Sequence, residues 1–242
     1  MSIPIADRRV LVTGASSGIG AATAVALLER GARVAGLARR HGRLSEVGGL
    51  LAVPADVSDP AAAGSGVDSA VTALGGLDVL INAAGVSFGG SIEDGDLQEW
   101  RMTFDVNVLG LLAITRAAIP ALREGRAPLI INVSSMSGHR ILSPRNTVYG
   151  ASKHAVQAIT TGLRKELAPA GIRVTGVSPS YVQDTEIHDH HRDPAQAEAA
   201  RTRGNEFGVP MLDFVEAMVY LVATGPEMGI RQLDLSATHQ PD

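Results

Sequence analysis

Short runs of consecutive apolar residues, separated by longer helix-forming stretches, constrain the fold of this chain more than any other feature. The runs are apolar on successive residues, which is typical of strands buried on both faces of a parallel sheet. They are Arg9–Thr13, Arg33–Ala38, Leu50–Pro54, Val79–Asn82, Leu129–Ser134, Arg173–Ser178 and Arg231–Leu235. The helical stretches are Gly18–Arg30, Pro60–Leu74, Leu97–Leu122, Tyr149–Ala168 and Leu212–Ala223. This alternation predicts an α/β fold with a doubly wound parallel sheet and helices on both faces.

One domain is expected to cover residues 1–242, because no repeat, low-complexity segment or linker interrupts the alternation. The least regular stretch, 181–210, follows a strand end, where ligands bind in open α/β sheets. We predict that it forms a mobile, solvated substrate lid. Its run His188-Asp189-His190-His191, followed by Arg192, is polar and offers little apolar area. Histidines within one loop lack the fixed geometry of a metal site, so we expect no metal.

Composition excludes several classes of protein. The net charge of -4 and the pI near 6.0 argue against a nucleic-acid partner or an anionic membrane surface. The chain has no cysteine, which excludes disulfides, thiolate catalysis and cysteine-ligated metals and fits a reducing cytoplasm. No run reaches the roughly 18 uninterrupted apolar residues of a membrane span, and the N-terminus lacks a signal-peptide pattern. We therefore expect a cytoplasmic protein.

A glycine-rich turn follows the first predicted strand and opens the first helix. It reads Thr13-Gly14-Ala15-Ser16-Ser17-Gly18-Ile19-Gly20. Glycines at such a turn let a diphosphate approach backbone N–H groups, and the helix N-terminus favours its negative charge. The spacing is T-G-x-x-x-G-x-G rather than G-x-G-x-x-G. We predict a dinucleotide site of the Rossmann type, with contacts from Gly14, Ser16, Ser17, Gly18, Ile19 and Gly20.

With this turn the chain resembles the short-chain dehydrogenase/reductase family, over roughly residues 8–235. Further motifs follow in the family's order: Asn82-Ala83-Ala84-Gly85, Asn107, Asn132-Val133-Ser134-Ser135 and Tyr149-Gly150-Ala151-Ser152-Lys153. Residues 93–122 and the C-terminal end look similar to clavulanate-aldehyde-reductase-like members. The resemblance implies a nicotinamide-dependent oxidoreductase, with Asn82, Ala83, Ala84 and Gly85 beside the cofactor.

The end of the second predicted strand indicates which nicotinamide cofactor binds. An acidic residue about 20 residues beyond the glycine turn would hold the ribose of NAD, and here that position is Ala38. No carboxylate repels a 2′-phosphate, and Arg39 can pair with one by charge-assisted hydrogen bonds. Arg40 would stack on the adenine or add a second contact. The alternative is two solvated arginines in a loop, but the sequence favours NADP(H).

Asp56 and Val57 follow the third predicted strand and match the family's adenine-contacting position. Asp56 could equally be a helix-capping residue, with Ser58 and Asp59 competing for that role before Pro60. Both interpretations stay open at the level of the sequence.

Tyr149 and Lys153 are spaced to share one helix face. The resemblance implies that Tyr149 is the general acid and base and that Lys153 also holds the nicotinamide ribose. Lowering a tyrosine pKa by three units needs about 4 kcal/mol of differential stabilisation. An ammonium about 5 Å away supplies about 3 kcal/mol at an effective dielectric near 20. The positive ring of NADP⁺ acts in the same direction, so we expect a lowered pKa for Tyr149.

Ser135 and Asn107 complete the predicted catalytic group. Ser135 would orient the carbonyl oxygen, although it lies 14 residues before Tyr149, one more than is common in the family. Ser134 and Ser137 fit the register less well, so we place the extra residue in the loop 137–148. Asn107 matches the family position that holds a water beside the lysine, and asparagine is otherwise unfavourable inside a helix.

The segment after the sixth predicted strand departs from the family. Pro179-Ser180 replaces the usual Pro-Gly, and Val182-Gln183-Asp184-Thr185 is one residue longer than usual. The resemblance implies nicotinamide contacts from Pro179, Ser180, Val182 and Thr185.

We predict an NADP(H)-dependent enzyme that interconverts a small-molecule ketone or aldehyde and an alcohol. One alternative is a sugar-nucleotide epimerase or dehydratase, which would need a larger C-terminal domain; the other is a non-catalytic NADP(H) sensor. The family commonly pairs subunits through two long helices, here Leu97–Leu122 and Tyr149–Ala168. Both carry more apolar residues than one stripe needs, which predicts a homo-oligomer, a tetramer.

Overall fold

One parallel sheet lies at the centre of the fold, and its central strands are buried on both faces. The computed structural model describes residues 2–191 and 193–240; Met1, Arg192, Pro241 and Asp242, all inside the predicted domain 1–242, lie outside the described residues. The strands are β1 (Arg9–Thr13), β2 (Arg33–Ala38), β3 (Leu51–Pro54), β4 (Val79–Asn82), β5 (Leu129–Val133), β6 (Arg173–Pro179) and β7 (Gln232–Leu235). Their order is β3-β2-β1-β4-β5-β6-β7, and every pairing is parallel. The chain crosses over after β3, which confirms the doubly wound α/β prediction.

Helices cover both faces of this sheet. They are α1 (Gly18–Glu29), α2 (His41–Ser45), α3 (Pro60–Leu74), α4 (Leu97–Phe104), α5 (Leu111–Arg123), α6 (Thr147–Leu167), α7 (Pro194–Phe207) and α8 (Met211–Ala223). Successive strand residues serve opposite faces. Val10 and Val12 join the core under α1 and α8, whereas Leu11 joins the core under α3, α5 and α6.

Three helical features differ from the prediction. The short helix α2 was not expected, and α7 lies inside the stretch 181–210, which we had expected to be irregular. The long helix after residue 97 contains a π-helical turn, Asp105–Gly110, between α4 and α5. Glycine is unfavourable inside a helix, yet Gly66 of α3 serves the packing of this helix on the sheet. A Cβ there would lie 2.9 Å from Leu37 Cδ1 and 3.1 Å from Ala55 Cβ, so glycine lets α3 approach the sheet without displacing the Leu37 side chain.

The continuous helix Leu97–Arg123 is long and apolar enough to cross a membrane by length and composition alone, and half of its most apolar window is buried in the fold. Core helices pass the same test. The apolar residues beyond one stripe of this helix and of α6 were predicted to contact a second subunit, but most of them are buried within the fold: Val106, Leu111, Ile114, Val156 and Leu163. Leu109 and Leu112 remain exposed and form the apolar part of this helix that faces outward.

A buried carboxylate ties together the amino ends of the central strands. The Asp78 side chain is fully buried and lies 2.6 Å from the Arg9 guanidinium and 3.1 Å from that of Arg126. It also accepts hydrogen bonds from the backbone N–H groups of both arginines. Burial alone would raise the pKa of Asp78, but these hydrogen bonds outweigh it and hold the pKa far below its usual range.

Candidate active site

An open cavity of about 870 Å³ lies at the carboxyl ends of the strands, where ligands bind in open α/β sheets. The loops that follow β1, β2, β3, β4, β5 and β6 line it, together with one face of α7. Most of the predicted site residues line this cavity: Gly14, Ser16, Ser17, Gly18, Ile19, Gly20, Arg39, Arg40, Asp56, Val57, Ala83, Ala84, Gly85, Ser135, Tyr149, Lys153, Pro179, Ser180, Val182 and Thr185. Asn82 and Asn107 do not.

The glycine-rich turn is shaped by close packing against the loop after β4. Gly14 has φ +69°, and a Cβ there would lie 2.8 Å from Ala84 Cα, so both conformation and space require glycine. The Thr13 hydroxyl oxygen accepts hydrogen bonds from the N–H groups of Ala83 and Ala84, each at 3.1 Å. The turn and the β4 loop therefore form one rigid wall, in front of which α1 begins.

Basic side chains line the far end of the cavity, beside the ends of β2 and α2. Arg40 donates hydrogen bonds to the hydroxyls of Ser16 at 3.2 Å and Ser17 at 2.6 Å. Glu186 lies across from it, 2.9 Å from the Arg40 guanidinium and 2.6 Å from that of Arg43. Guanidinium and hydroxyl donors around one exposed space suit a phosphate group.

Sequence reasoning missed Arg43 and Glu186. Arg43 stood in a visible basic cluster, but nothing in the sequence indicated that α2 would turn it toward the glycine turn. Glu186 pairs with residues 143 and more positions away, which no local pattern reveals.

Asp56 is not the cap of α3. Asp59 takes that role and accepts hydrogen bonds from the N–H groups of Ala61 and Ala62. Asp56 instead accepts from Ser58 and lies 3.9 Å from the exposed Arg39 guanidinium at the cavity wall. The alternative that made Asp56 a helix-capping residue is therefore wrong. The interpretation of Asp56 as a residue beside the adenine stays a prediction, and Asp56 lies on the cavity lining as that interpretation requires.

Ser135, Tyr149 and Lys153 meet in the middle of the cavity. Ser135 lies two residues after the end of β5, and its side chain is hydrogen-bonded to that of Tyr149. The segment between them contains two short 3₁₀ turns, Met136–Gly138 and Pro144–Asn146, and the longer spacing does not keep the two side chains apart. Lys153 is buried; its ammonium donates to Val133 C=O at 3.0 Å and lies 5.7 Å from the centre of the Tyr149 ring.

Burial dominates the electrostatics of this group. It raises the pKa of Tyr149 to about 12, against the smaller lowering by the hydrogen bond with Ser135. It also lowers the pKa of Lys153 to about 8. The lowered tyrosine pKa that we expected does not arise from the protein groups alone, because both charged forms lose solvation when their side chains are buried. The neutral phenol is therefore the favoured state here, which suits a proton donor.

The serines on either side of Ser135 make hydrogen bonds that stabilise the local structure. The Ser134 hydroxyl donates to Lys153 C=O at 3.1 Å and so holds the start of α6 against β5. The Ser137 N–H donates to the Ser135 hydroxyl oxygen at 3.1 Å, which positions that side chain. Ser135 is therefore the serine whose side chain faces Tyr149.

Asn107 lies behind the cavity wall rather than on it, and its predicted role of holding a water beside Lys153 stays a prediction. It sits in the π-helical turn, where its side chain accepts from Val86 N–H at 2.9 Å and donates to Val86 C=O at 3.0 Å and to the Ser152 hydroxyl at 3.1 Å. A Cβ on Gly85 would lie 3.4 Å from its amide oxygen and 3.6 Å from the Lys153 ammonium. Asn107 is a positioning residue that joins the β4 loop to α6.

Asn82 is also a support rather than a cavity residue. Its amide donates to Thr115 at 3.0 Å and to the Asn132 side chain at 2.9 Å, and Asn132 in turn donates to Thr160 at 3.0 Å. This buried network joins the ends of β4 and β5 to α5 and α6. It keeps the catalytic strand ends in register.

The segment after β6 closes over the glycine turn. Thr185 lies against Gly18: a Cβ added to Gly18 would be 3.8 Å from the Cβ of Thr185. Val182 pairs in a single bridge with Val209, and Ser180 N–H donates to Leu235 C=O at 2.7 Å. The Ser180 hydroxyl is buried without a hydrogen-bond partner among the described residues, so it can serve a ligand.

The stretch 181–210 is less solvated than we expected. It contains α7 and a 3₁₀ turn, Ile187–His190, which together place His188, His190 and His191 half-buried against the cavity. Burial, then the neighbouring His191, lowers the pKa of His188 to about 4. No three metal-ligating side chains are grouped together in residues 2–191 and 193–240.

Known proteins resemble this chain along almost all of its length. The family model for short chain dehydrogenase matches residues 8–196. A bovine protein, dehydrogenase/reductase SDR family member 11, is 36% identical, over 97% of each chain. Serine dehydrogenase complexed with NADP⁺ superposes with a TM-score of 0.87 at 27% identity, covering 96% of each chain.

Two further solved structures differ in the cofactor that they contain. A short chain dehydrogenase from Burkholderia cenocepacia in complex with NADP has a TM-score of 0.84 at 31% identity, covering 96% of this chain and 98% of its own. A 3-ketoacyl-(acyl-carrier-protein) reductase from Brucella melitensis complexed with NADH has the same TM-score at 28% identity, covering 97% and 98%.

Proposed function

Since the chain belongs to the short-chain dehydrogenase/reductase family, we propose that it is an NADP(H)-dependent oxidoreductase that interconverts a ketone or aldehyde and an alcohol. The observation that carries this proposal is the meeting of Ser135, Tyr149 and Lys153 at the wall of one cavity. That cavity continues past the glycine turn to the arginines beyond β2.

The cofactor choice rests on charge. Arg39 and Arg40 line the cavity beyond the neutral Ala38, and the Ser16 and Ser17 hydroxyls stand beside them. These donors fit a 2′-phosphate, which an acid at position 38 would repel. Solved relatives in complex with NADP agree with this choice, and because one relative is in complex with NADH, the arginines add independent support for NADP(H). When bound, the nicotinamide donates or accepts a hydride.

Tyr149 transfers the proton. In the reducing direction its neutral phenol donates to the carbonyl oxygen, and the raised pKa keeps the phenol protonated at neutral pH. Ser135 donates a hydrogen bond to the same oxygen and aims it at Tyr149. Lys153 holds positive charge beside the phenol, stabilises the phenolate that forms, and holds the nicotinamide ribose. Asn107 keeps Lys153 and the β4 loop in place.

Further features of the assembly follow the family. We propose a homo-oligomer, a tetramer, in which the exposed Leu109 and Leu112 are covered by a second copy. Membership of the clavulanate-aldehyde-reductase-like group, a cytoplasmic location and closure of the lid 181–210 stay predictions. Arg192, which belongs to the predicted lid, lies outside the described residues.

The test is a panel of aldehydes and ketones with NADPH oxidation recorded at fixed enzyme concentration. Tyr149→Phe should keep NADPH binding within about threefold and lose at least about a hundredfold in kcat, because only the hydroxyl carries the proton. Near-normal kcat in Tyr149→Phe would refute the mechanism. NADPH binding without turnover of any carbonyl compound would instead favour the non-catalytic sensor.

A further inference from the structure

The substrate side of the cavity carries guanidinium groups that the proposed mechanism does not use. Arg140 and Arg145 lie in the loop between β5 and α6, and Arg203 lies on α7. All three line the cavity that contains Tyr149. They are separate in position from Arg39, Arg40 and Arg43, which line its cofactor end.

One face of α7 forms the wall that presents Arg203. The cavity-lining residues of this helix recur at helical spacing: Gln196, Ala199, Ala200, Arg203 and Phe207. The two alanines leave space beside Arg203. Arg145 Nε donates to Gln196 Oε1 at 3.2 Å, so the loop before α6 and this helix face are joined across the substrate side.

The pKa of Asp193 is lowered by its hydrogen bond from Gln196 and, to a smaller extent, by the nearby positive charge of Arg145, whereas the carboxylates that line the cavity are paired with other arginines. Asp189 lines this end of the cavity, but its side chain is 2.9 Å from Arg201. Glu186 is held by Arg40 and Arg43 at the other end. No hydrogen bond or ion pair joins the side chain of Arg203 to another residue of 2–191 or 193–240. Because the whole chain has a net charge of -4, the positive character is local to the cavity.

Histidine nitrogens add unused hydrogen-bonding capacity. The Nδ1 atoms of His188, His190 and His191 are buried and have no hydrogen-bond partner among the described residues. All three side chains line the cavity. Buried polar atoms of native proteins are nearly always paired, so three such atoms around one space indicate a polar ligand.

We propose that the substrate carries a carboxylate in addition to its reacting carbonyl or alcohol, and that Arg203 and Arg145 bind it while Tyr149 faces the reacting carbon. A guanidinium matches a carboxylate with two parallel hydrogen bonds, which an uncharged group of the same size cannot replace. The histidines contact the remaining polar atoms. The inference rests on the proposed oxidoreductase function.

Oxo acids and their methyl esters test the proposal directly. The probes are 3-oxobutanoate, 4-oxopentanoate and 5-oxohexanoate, each paired with its methyl ester, so that only charge and chain length vary. We expect at least one acid to have a KM about tenfold or more below that of its ester, as a charge-assisted hydrogen bond would give. Equal or lower KM values for all three esters would overturn the proposal.

Calorimetric titration of the same probes into the NADPH-bound protein separates this inference from the proposed function. Binding selective for acids without turnover supports the carboxylate site and refutes the reductase. Turnover without preference for acids supports the reductase and refutes the site. Binding of neither acid nor ester to the NADPH-bound protein also refutes the site.

Single variants locate the carboxylate site. Arg203→Gln and Arg145→Gln should each reduce the acid-to-ester ratio of kcat/KM by about tenfold, whereas Arg203→Lys should lose less because it keeps the charge. The matched control is Arg33→Gln, the same change at an exposed arginine at the amino end of β2, which does not line the cavity. NADPH affinity and the thermal midpoint report whether each variant folds. An unchanged ratio in both folded glutamine variants would overturn the assignment.

Discussion

Glu186 lies where it competes with the phosphate that the cofactor end of the cavity is built to hold. Its carboxylate is 2.9 Å from the Arg40 guanidinium and 2.6 Å from that of Arg43. Burial alone would raise the pKa of Glu186, but the hydrogen bonds from the two arginines outweigh it and lower the pKa. The carboxylate is therefore ionised at neutral pH, and a 2′-phosphate must share or displace its partners.

The exposure of the two ion pairs determines how much the substitution Glu186→Gln should change NADPH affinity. Both guanidinium groups are nearly half exposed, at 45% and 46%, so each pair is discounted to the range of surface ion pairs, about 0.2–1 kcal/mol. Losing two such pairs would relieve about 0.5–2 kcal/mol of competition, which is a gain of about two- to thirtyfold in NADPH affinity. NADH has no 2′-phosphate, so its affinity should hardly change.

The assay is fluorescence titration of NADPH and NADH into the parent protein and the variant at low and high salt. The gain for NADPH should shrink at high salt, because exposed charges are screened. Glu227→Gln, an exposed glutamate outside the cavity, makes the same charge change and should affect neither cofactor. Unchanged or weaker NADPH binding in Glu186→Gln would show that Glu186 does not compete for the phosphate site.

Four other outcomes are expected. Ala38→Asp combined with Arg39→Gln should invert the preference from NADPH to NADH, and equal affinities in the parent would contradict the assignment of Arg39. Asp78→Asn should lower the free energy of unfolding by about 3 kcal/mol at pH 7, since it leaves two arginines without their partner. The pKa of Asp78 is lowered by folding, so its stabilisation is full above about pH 5 and is lost as the pH falls below about 4; urea unfolding across that range should show a flatter profile for the variant. Light scattering at micromolar concentration should give an oligomeric mass, and a monomer would contradict the assembly. Hydrogen exchange in 181–210 should slow when NADPH and a substrate bind, and equal protection in both states would make it a fixed wall.

The sequence alone determined the fold class and the positions of the candidate site residues nearest to one another along the chain. Buried parallel strands are apolar on consecutive residues, so all seven strands could be placed to within one residue at each end. The glycine turn was equally readable, because a positive φ and a 2.8 Å approach leave glycine as the residue that fits Gly14. Tyr149 and Lys153 are one helical turn apart, and a helix brings such residues to one face without help from the rest of the fold.

Only the tertiary structure decided which side chains meet across distant segments. Nothing local shows that Glu186 reaches Arg40, that Arg203 shares a cavity with Tyr149, or that Asn82 and Asn107 support the wall from behind. It also decided the pKa of Tyr149, since pairing with Lys153 suggested a lowering, whereas burial of the Tyr149 side chain raises its pKa to about 12. The local pattern of a sequence predicts the backbone conformation of its residues. The pKa of a side chain and its partners from distant segments depend on how the whole chain packs, because packing decides which groups lose solvent and which ones meet.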